Sequence, residues 1–178
     1  MNYKKLEIPE VIVFQPSVFR DERGYFMESF NENIFDKILD ETVKFCQDNE
    51  SMSSKGVFRG LHFQDNPCSQ SKLVRVISGS VIDFIVDIRK DSPTFKKHLA
   101  IKISAKNKKQ IFIPKGFAHG FLSLEDNTIF SYKVDHFYSK EYDTGINVHD
   151  PSLNINLSDY FDGEIIISEK DQSLNFLT

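Results

Sequence analysis

The stretch that decides the fold is Val81-Ile82-Asp83-Phe84-Ile85-Val86-Asp87-Ile88-Arg89. Its side chains form two alternating sets, one wholly apolar and the other including both aspartates and the arginine. Alternation with a period of two predicts a β-strand whose faces meet different surroundings. We therefore expect Asp83 to look into the lumen of a barrel, while the apolar set packs on the opposite face.

Strand-like runs of similar length recur on both sides of this stretch. They occupy residues 57–63, 73–78, 81–89, 98–103, 110–113, 117–124, 128–138 and 146–148. Turn signals such as Ser-Gly, Asp-Ser-Pro and Lys-Asn-Lys-Lys separate them. The composition agrees, because 17 Phe with no Trp, among many Ile and Val, favour pleated strands. Short strands at regular intervals predict an all-β sandwich or barrel.

The rest of the chain adds a few elements to this barrel. Residues 8–14 predict a strand, residues 19–30 predict two strands around a turn at 20–24, and residues 164–168 predict a strand in the tail. No internal repeat or interdomain linker interrupts the chain. We expect a single domain over 1–178, with the N-terminal strands and the C-terminal segment packed around the barrel.

One helix is predicted over residues 31–39. Asn31 or Asn33 can cap its N-terminus. Its apolar face consists of Ile34, Ile38 and Leu39. Spacing of three and four residues is typical of an amphipathic helix.

Composition excludes several classes of function. A formal net charge of −4 provides no basic face for nucleic acid. No apolar run approaches the ~18 residues that cross a bilayer, so we expect no membrane span. Cys46 and Cys68 fit no disulfide framework or zinc motif, and Met1-Asn2-Tyr3-Lys4-Lys5 has no apolar run behind it. These features predict a cytoplasmic protein.

The candidate site begins at Arg59-Gly60-Leu61-His62-Phe63-Gln64 and continues at Lys72-Leu73-Val74-Arg75-Val76. The two strand-like segments carry a histidine and a lysine at alternating positions. Gly60 permits another backbone to approach closely. An imidazole and an ammonium group on neighbouring strands form a candidate catalytic pair.

The stretch Pro114-Lys115-Gly116-Phe117-Ala118-His119-Gly120 resembles the PxGxxH form of the second cupin motif, and His62-Phe63-Gln64 stands where the first motif has HxH. This resemblance implies a cupin jelly roll. Metal-binding cupins use a second His and a carboxylate, but Gln64 replaces that His and Lys72 supplies a cation that repels a metal. We expect no metal. A metal-dependent isomerase or dioxygenase remains the alternative.

Several ordered motifs together resemble the dTDP-4-dehydrorhamnose 3,5-epimerase family. They are Phe19–Phe26, Gly56–Gln64, Lys72–Arg75, Asp87–Arg89 with Ser92–Phe95, Ile113–Phe121 and Tyr132-Lys133. The resemblance runs from about Phe19 to Asp171. It implies a cofactor-free cupin, usually a homodimer, that acts on a nucleotide-linked 4-keto-6-deoxy sugar on the pathway to rhamnose. Relatives of this kind also act at C3 alone or at C5 alone, and Ser71 and residues 147–150 depart from the usual pattern.

Epimerisation beside a ketone requires a base, a stabiliser of the enolate oxygen and an acid on the opposite face. His62 suits the base because imidazole titrates near neutral pH, and the family implies Asp171 as the carboxylate that orients it. Lys72 can stabilise the enolate, and Tyr132 can return the proton. The family also implies that Asp83 holds Lys72 or Tyr132 in place.

Each of these residues also has a structural interpretation. An inward His on a strand is often a hydrogen-bonded core residue, and a strand Tyr is often half-buried packing. Lys72 alone would read as a solvated cation, and Asp171 alone as an exposed carboxylate. His119 can equally fill the space that a metal would occupy in other cupins.

Substrate-binding residues follow from an anionic diphosphate and a planar base. Arg23 and Arg59 suit phosphate through their planar guanidinium groups, with Lys170 as an assisting charge. The remaining candidates, from family positions or from stacking and walling roles, are Glu28, Gln47, Asn49, Tyr138, Phe19 and Phe26. The family implies that residues of the N-terminal strands cross to a neighbouring subunit. A non-catalytic sugar-binding cupin remains possible on binding residues alone.

Overall fold

The structure is a computed structural model that describes residues 1–39 and 42–178. Strands dominate it, and they lie at the following positions: β1 (Asn2–Lys5), β2 (Ile12–Gln15), β3 (Val18–Asp21), β4 (Gly24–Met27), β5 (Gln47–Ser53), β6 (Val57–Gln64), β7 (Lys72–Ser78), β8 (Ser80–Asp87), β9 (His98–Ser104), β10 (Gln110–Ile113), β11 (Phe117–Ser123), β12 (Thr128–Val134), β13 (Asp143–Gly145) and β14 (Ile166–Ile167). The helices are α1 (Glu32–Leu39) and α2 (Glu169–Gln172), with 3-10 turns at Pro151–Leu153 and Leu157–Asp159.

Two sheets face each other and form the barrel. One has the strand order β1-β2-β10-β7-β12-β5, and the other has the order β13-β6-β11-β8-β9 with β14 added in parallel to β6. Strands β3 and β4 form a separate hairpin. All other pairings are antiparallel. The predicted all-β cupin jelly-roll barrel with one or two short helices is confirmed.

Three apolar clusters explain why the strands have two buried faces. The lumen is filled by side chains of both sheets, including Val74 of β7, Ile85 of β8 and Phe130 of β12. The outer face of the second sheet is covered by the chain after β13, and the outer face of the first is covered by α1. Every residue of β8 is buried, and Asp83 lies on the same face as Ile85, as its alternation predicts.

Helix α1 packs on the first sheet through a face that differs slightly from the predicted one. Phe35 is the buried residue, stacked on Phe14 at 5.1 Å between ring centroids, and Ile38 and Leu39 pack beside it. Asn31 caps the helix, since its Oδ1 accepts a hydrogen bond from Ile34 N–H at 3.3 Å. The helix prediction is confirmed, but Phe35 rather than Ile34 is the centre of its apolar face.

The ends of several predicted strands were wrong. The strand predicted over 8–14 begins at Ile12, because Pro9 lies in a turn closed by Val11 N–H donating to Ile8 O at 3.0 Å. Strand β1 was not predicted. Strand β12 ends at Val134, and β14 covers only two residues of 164–168. Residues 146–148 follow β13, and Ile146 still bonds to Leu61 of β6. No helix in the described ranges is long and apolar enough to cross a membrane.

Candidate active site

A cavity of about 660 Å³ opens at one end of the barrel. Strands β5, β6, β7, β11 and β12 and the segment from β14 to α2 line it. It collects four of the predicted catalytic residues, His62, Lys72, Tyr132 and Asp171. It also collects four of the predicted binding residues, Asn49, Arg59, His119 and Lys170. Residues more than 100 positions apart thus meet in one pocket.

The strand pair β6 and β11 approaches closely at the floor of this cavity. Gly60 has a φ of +135°, and a Cβ on it would lie 2.5 Å from the Cα of Gly120. Only a residue without a side chain tolerates both conditions. Just beyond this contact, His62 and His119 are cross-strand partners. The expected close backbone approach at Gly60 is thus next to a position where two histidines are cross-strand partners.

His62 is bonded to Asp171 across the cavity wall. Its Nε2 lies 2.7 Å from Asp171 Oδ1, and the second oxygen of this carboxylate accepts a hydrogen bond from Gly60 N–H at 3.2 Å. Asp171 is 5% exposed, whereas the His62 side chain is 32% exposed. Burial acts to raise the pKa of Asp171, but the hydrogen bonds from His62 and Gly60 hold it below its usual range. A half-exposed imidazole backed by an ionised, buried carboxylate is suited to remove a proton.

Asp171 is brought to this position by the C-terminal segment. Strand β14 pairs with the beginning of β6 through Ile166 and Ile167. Ser168 then caps α2, with its Oγ accepting a hydrogen bond from Asp171 N–H at 3.1 Å. The cap fixes Asp171 one turn beyond the strand pairing, so its side chain points back at β6.

Lys72 is buried beside His62 at the start of β7. Its Nζ donates a hydrogen bond to His62 O at 3.2 Å. Burial lowers the pKa of Lys72 to about 8, against the charges of Asp83 and Asp143, which act to raise it. An ammonium group in this poorly solvated place exerts a strong field on the cavity. It can stabilise negative charge that develops on a bound ketone oxygen.

Asp83 is hydrogen-bonded to His119. Asp83 Oδ1 lies 2.8 Å from His119 Nε2, while its Oδ2 is buried without a hydrogen-bond partner among residues 1–39 and 42–178. Burial raises the pKa of Asp83, opposed by His119 and Lys72, and burial also lowers the pKa of His119. The hydrogen bond of Asp83 thus goes to His119, while its charge acts to raise the pKa of Lys72; the expected role of holding Lys72 or Tyr132 stays a prediction.

Tyr132 lies on β12, between Val74 of β7 and Asn49 of β5. Burial raises the pKa of its phenol, and the charge of Asp143 acts in the same direction. The hydroxyl group therefore stays protonated at neutral pH, as a proton donor requires.

Gln64, which stands where the cupin motif has a metal-binding His, is hydrogen-bonded to two loops. Gln64 is buried, and its amide donates hydrogen bonds to Cys68 O at 2.6 Å and Phe137 O at 3.3 Å. Its oxygen accepts a hydrogen bond from Ser139 N–H at 2.7 Å. Gln64 thus ties two loops together. Across the described residues, no three His, Cys, Asp or Glu side chains are arranged to hold a metal ion.

A second group of polar residues lies at the rim. Gln47 binds Asn49 Oδ1 at 2.8 Å and accepts a hydrogen bond from Tyr138 N–H at 3.0 Å. Lys170 binds Asp143 Oδ2 at 2.8 Å. Arg59 is held by Ser53 Oγ at 3.0 Å and Met52 O at 3.2 Å. Tyr138, whose backbone bonds to Gln47, is 55% exposed.

Asp143 is a site residue that was not predicted from the sequence. Its carboxylate binds Lys170 and lies near the Tyr138 hydroxyl at 3.4 Å, and its charge reaches Lys72 and Tyr132. The local pattern held no signal beyond a carboxylate before Thr-Gly, because its importance comes from contacts with residues distant in sequence.

Six predicted binding residues do not line this cavity: Gln47 and Tyr138 beside it, and four on or next to the hairpin β3–β4. Phe19 and Phe26 are 64% and 70% exposed on the hairpin β3–β4, where they are cross-strand partners. Arg23 is exposed and bound to Asp21, and Glu28 is exposed just after β4. The hairpin therefore presents an aromatic surface to solvent in the single chain.

Comparison with known proteins reveals close relatives. The family model for dTDP-4-dehydrorhamnose 3,5-epimerase matches residues 5–178. The chain is 54% identical to the dTDP-4-dehydrorhamnose 3,5-epimerase of Shigella flexneri over 155 residues, which cover 87% of this chain and 86% of the relative. It is 47% identical to the enzyme of the same name from Escherichia coli K12, with coverage of 98% and 93%.

Solved structures agree with the sequence relatives. The chain superposes with a TM-score of 0.94 on the crystal structure of the dTDP-6-deoxy-D-glucose-3,5-epimerase of Legionella pneumophila in complex with dTDP-4-keto-L-rhamnose. The two sequences are 41% identical, and the superposition covers 99% of this chain and 92% of the other. Fold and sequence thus point to the same relatives.

Proposed function

The chain belongs to the dTDP-4-dehydrorhamnose 3,5-epimerase family, and we propose that its cavity binds a dTDP-linked 4-keto-6-deoxy sugar and inverts C3 and C5. The observation that carries the proposal is the convergence of the His62–Asp171 pair, Lys72 and Tyr132 on one cavity. These are the base, the cation and the acid that epimerisation beside a ketone requires. The family consists of isomerases, which is the enzyme class of this chain.

The reaction begins with proton removal by His62. Its neutral imidazole takes the proton of C3, the C–H electron pair moves into a C3–C4 double bond, and the C4 oxygen becomes an enolate. Asp171 accepts a hydrogen bond from the resulting imidazolium and stabilises its charge. C5 is also adjacent to the C4 ketone, so the same chemistry applies there once C5 faces His62.

The enolate oxygen is stabilised by Lys72. Its ammonium group is buried, with one hydrogen bond to His62 O, and can direct a further N–H into the cavity. His119 lines the cavity beside it and is oriented by Asp83. A preorganised donor in a poorly solvated site stabilises developing charge without reorganisation at the moment of reaction.

Inversion requires a proton to return on the opposite face of the sugar. Tyr132 is the proposed donor, because burial keeps its hydroxyl protonated. Its proton adds to the carbon as the enolate collapses to the ketone, and the tyrosinate is reprotonated from solvent. His62 then releases its proton to solvent, and the cycle is balanced.

The nucleotide is proposed to lie along the rim. Arg59 and Lys170 are the cations beside the cavity that suit the two phosphates, and Tyr138 offers a face for the thymine ring. Gln47 and Asn49 supply amide groups beside Tyr138. Asp143 fixes Lys170 and so sets where this cation meets the phosphate.

We propose that the enzyme is a homodimer in which the hairpin β3–β4 reaches the neighbouring cavity. Phe19 and Phe26 expose a contiguous aromatic surface that a soluble monomer would rarely leave open. Arg23 would then add a phosphate ligand and Glu28 a polar contact in the partner's site. The two phenylalanines would wall the sugar.

Solvent deuterium tests the proposed reaction. Incubation of the protein with dTDP-4-keto-6-deoxyglucose in heavy water, with chelator present, is expected to label C3 and C5. Label at one carbon only would indicate a single-position epimerase. Labelling that a chelator abolishes would indicate a metal-dependent cupin, and no labelling would indicate a sugar-binding protein.

A further inference from the structure

The segment 143–150 is hydrogen-bonded both to the strand that carries His62 and to the residues that follow Asp171. Its first part is bound to the strand that carries His62. Gly145 is the cross-strand partner of His62, and Ile146 exchanges two backbone hydrogen bonds with Leu61, at 2.9 and 3.2 Å. The segment therefore lies beside the proposed base without contributing a side chain to the cavity from residues 145–150.

The second part of the same segment holds the C-terminal residues that flank Asp171. Asn147 donates from Nδ2 to Gln172 O at 2.7 Å and from its backbone N–H to Asn175 O at 3.0 Å. Asp150 Oδ2 accepts a hydrogen bond from Leu177 N–H at 2.6 Å. These hydrogen bonds to Gln172, Asn175 and Leu177 fix the position of the C-terminal segment.

External contacts matter here because α2 is only four residues long. A helix of this length is not stable by itself in water. Its internal bonds, such as Gln172 N–H to Ser168 O at 2.9 Å, set its shape but not its distance from β6. The pairing of β14 with β6 holds α2 from its N-terminal side, and Asn147 holds it from the other side, because it bonds to the residue directly after Asp171.

Neighbouring residues pack tightly against the segment at Gly145. A Cβ on Gly145 would meet Leu61 O, would lie 2.8 Å from Leu174 Cδ1 and would lie 3.2 Å from His62 Cδ2. Asn147 is 9% exposed, and its Oδ1 accepts a hydrogen bond from His149 N–H at 2.9 Å. Both ends of its amide are therefore hydrogen-bonded.

We propose that the segment 143–150 aligns His62 with Asp171 and that Asn147 is a positioning residue for the epimerase reaction. Asn147 acts by holding α2 against β6, so that the Asp171 carboxylate stays on His62 Nε2. The kinetic part of this inference rests on the proposed function, whereas the alignment itself does not.

The alignment can be measured without substrate. Asn147→Ala removes the bond to Gln172 O, and the matched control is Asn107→Ala, which removes a comparable turn asparagine bonded to Lys102 O at 3.1 Å. With ¹⁵N-labelled histidine, the ring nitrogen shifts of His62, assigned by their loss in His62→Gln, are expected to move in Asn147→Ala toward those of Asp171→Asn. They stay unchanged in Asn107→Ala.

If the His62 ring nitrogen shifts in Asn147→Ala equal those of the wild type, the proposed alignment is wrong. If this variant fails to fold, Asn147→Asp makes the same test, because it keeps the acceptor for His149 N–H and lacks the donor to Gln172 O.

A double-mutant cycle separates positioning from general damage. Asn147→Ala is expected to lower kcat on the order of ten- to a hundredfold with KM unchanged. In an Asp171→Asn background the same substitution is expected to cost nothing further, because the contact it serves is already lost. An equal loss in both backgrounds would overturn the positioning role. Absence of turnover in the wild type would instead refute the proposed function, and the ring nitrogen shifts would still decide the alignment.

Discussion

His62 and His119 are cross-strand partners on β6 and β11, yet each is held by a different carboxylate in a different environment. His62 is partly open to the cavity and bonded to Asp171, whereas His119 is 7% exposed and bonded to Asp83. Burial lowers the pKa of His119 and so disfavours its charged form. Two like side chains that are partners across one strand pair thus take different tasks.

Lys72 provides a test through pH. Burial lowers its pKa to about 8, and only its charged form stabilises an enolate. We expect kcat/KM to fall as pH rises through about 8, and Lys72→Met to lose roughly 10²–10³ in kcat and this pH dependence. pH–rate profiles of the wild type and of Lys72→Met measure the loss in kcat and the loss of the pH dependence.

The same pKa has the opposite effect on stability. An unfolded lysine titrates near 10.4, so between about pH 8 and about pH 10 the unfolded chain binds more protons than the folded one. The free energy of unfolding contributed by Lys72 therefore rises with pH in this window. Urea titrations of wild type and Lys72→Met are expected to differ less at pH 10 than at pH 7. A constant difference would contradict the buried, shifted lysine.

Tyr132→Phe separates proton removal from proton return. His62 can still exchange the substrate proton with solvent on one face, but the opposite face lacks its donor. We expect deuterium to enter the unreacted substrate while the inverted product forms about 10²–10⁴-fold more slowly. Nuclear magnetic resonance of the sugar resolves the two species, and Tyr160→Phe is the matched control. Inversion at the wild-type rate in Tyr132→Phe would assign the acid elsewhere.

The hairpin β3–β4 provides a test of assembly. Phe26→Asp places a charge in the exposed aromatic surface and is expected to convert a dimer into a monomer in sedimentation equilibrium. Tyr3→Asp changes an aromatic residue that is 52% exposed outside the hairpin and should leave the dimer intact. A wild-type monomer, or a dimeric Phe26→Asp, would place the interface elsewhere.

Helix α1 can be tested apart from the chemistry. Phe35 is 1% exposed and packs among Phe14, Phe30, Phe45 and Phe112. Phe35→Ala is expected to lower the free energy of unfolding by ~3–5 kcal/mol while kcat is little changed. Denaturant unfolding measures the first and deuterium labelling the second. The side chain of Ile34 lies outside this cluster. If Phe35→Ala lowers the free energy of unfolding no more than Ile34→Ala does, the packing described for Phe35 is wrong.

The sequence predicts those parts of the molecule that depend on local pattern. Alternation revealed β8 with Asp83 turned to the lumen, and turn residues separated most strands. Strand ends that depend on a partner were missed, as at β14, where only Ile166 and Ile167 pair with β6. The turn after Ile8 was also not predicted, because the apolar residues around it fit a strand pattern although Pro9 lies in the turn.

The candidate site shows the same division. His62 and Lys72 stand in a recognisable stretch, but nothing local reveals that Asp83 bonds to His119 or that Asp143 holds Lys170. Those contacts depend on how β8 meets β11 and how the tail returns to β13. Long-range geometry of this kind is set by the assembled sheets and not by any single segment.

His62 is the proposed base, so its replacement by alanine should stop the exchange of substrate protons with solvent. The rate at which deuterium from heavy water enters C3 and C5 of dTDP-4-keto-6-deoxyglucose is compared between wild type and His62→Ala, with folding checked by circular dichroism. We expect label at both carbons with wild type and none above background with a folded His62→Ala. Labelling by His62→Ala at the wild-type rate would contradict it.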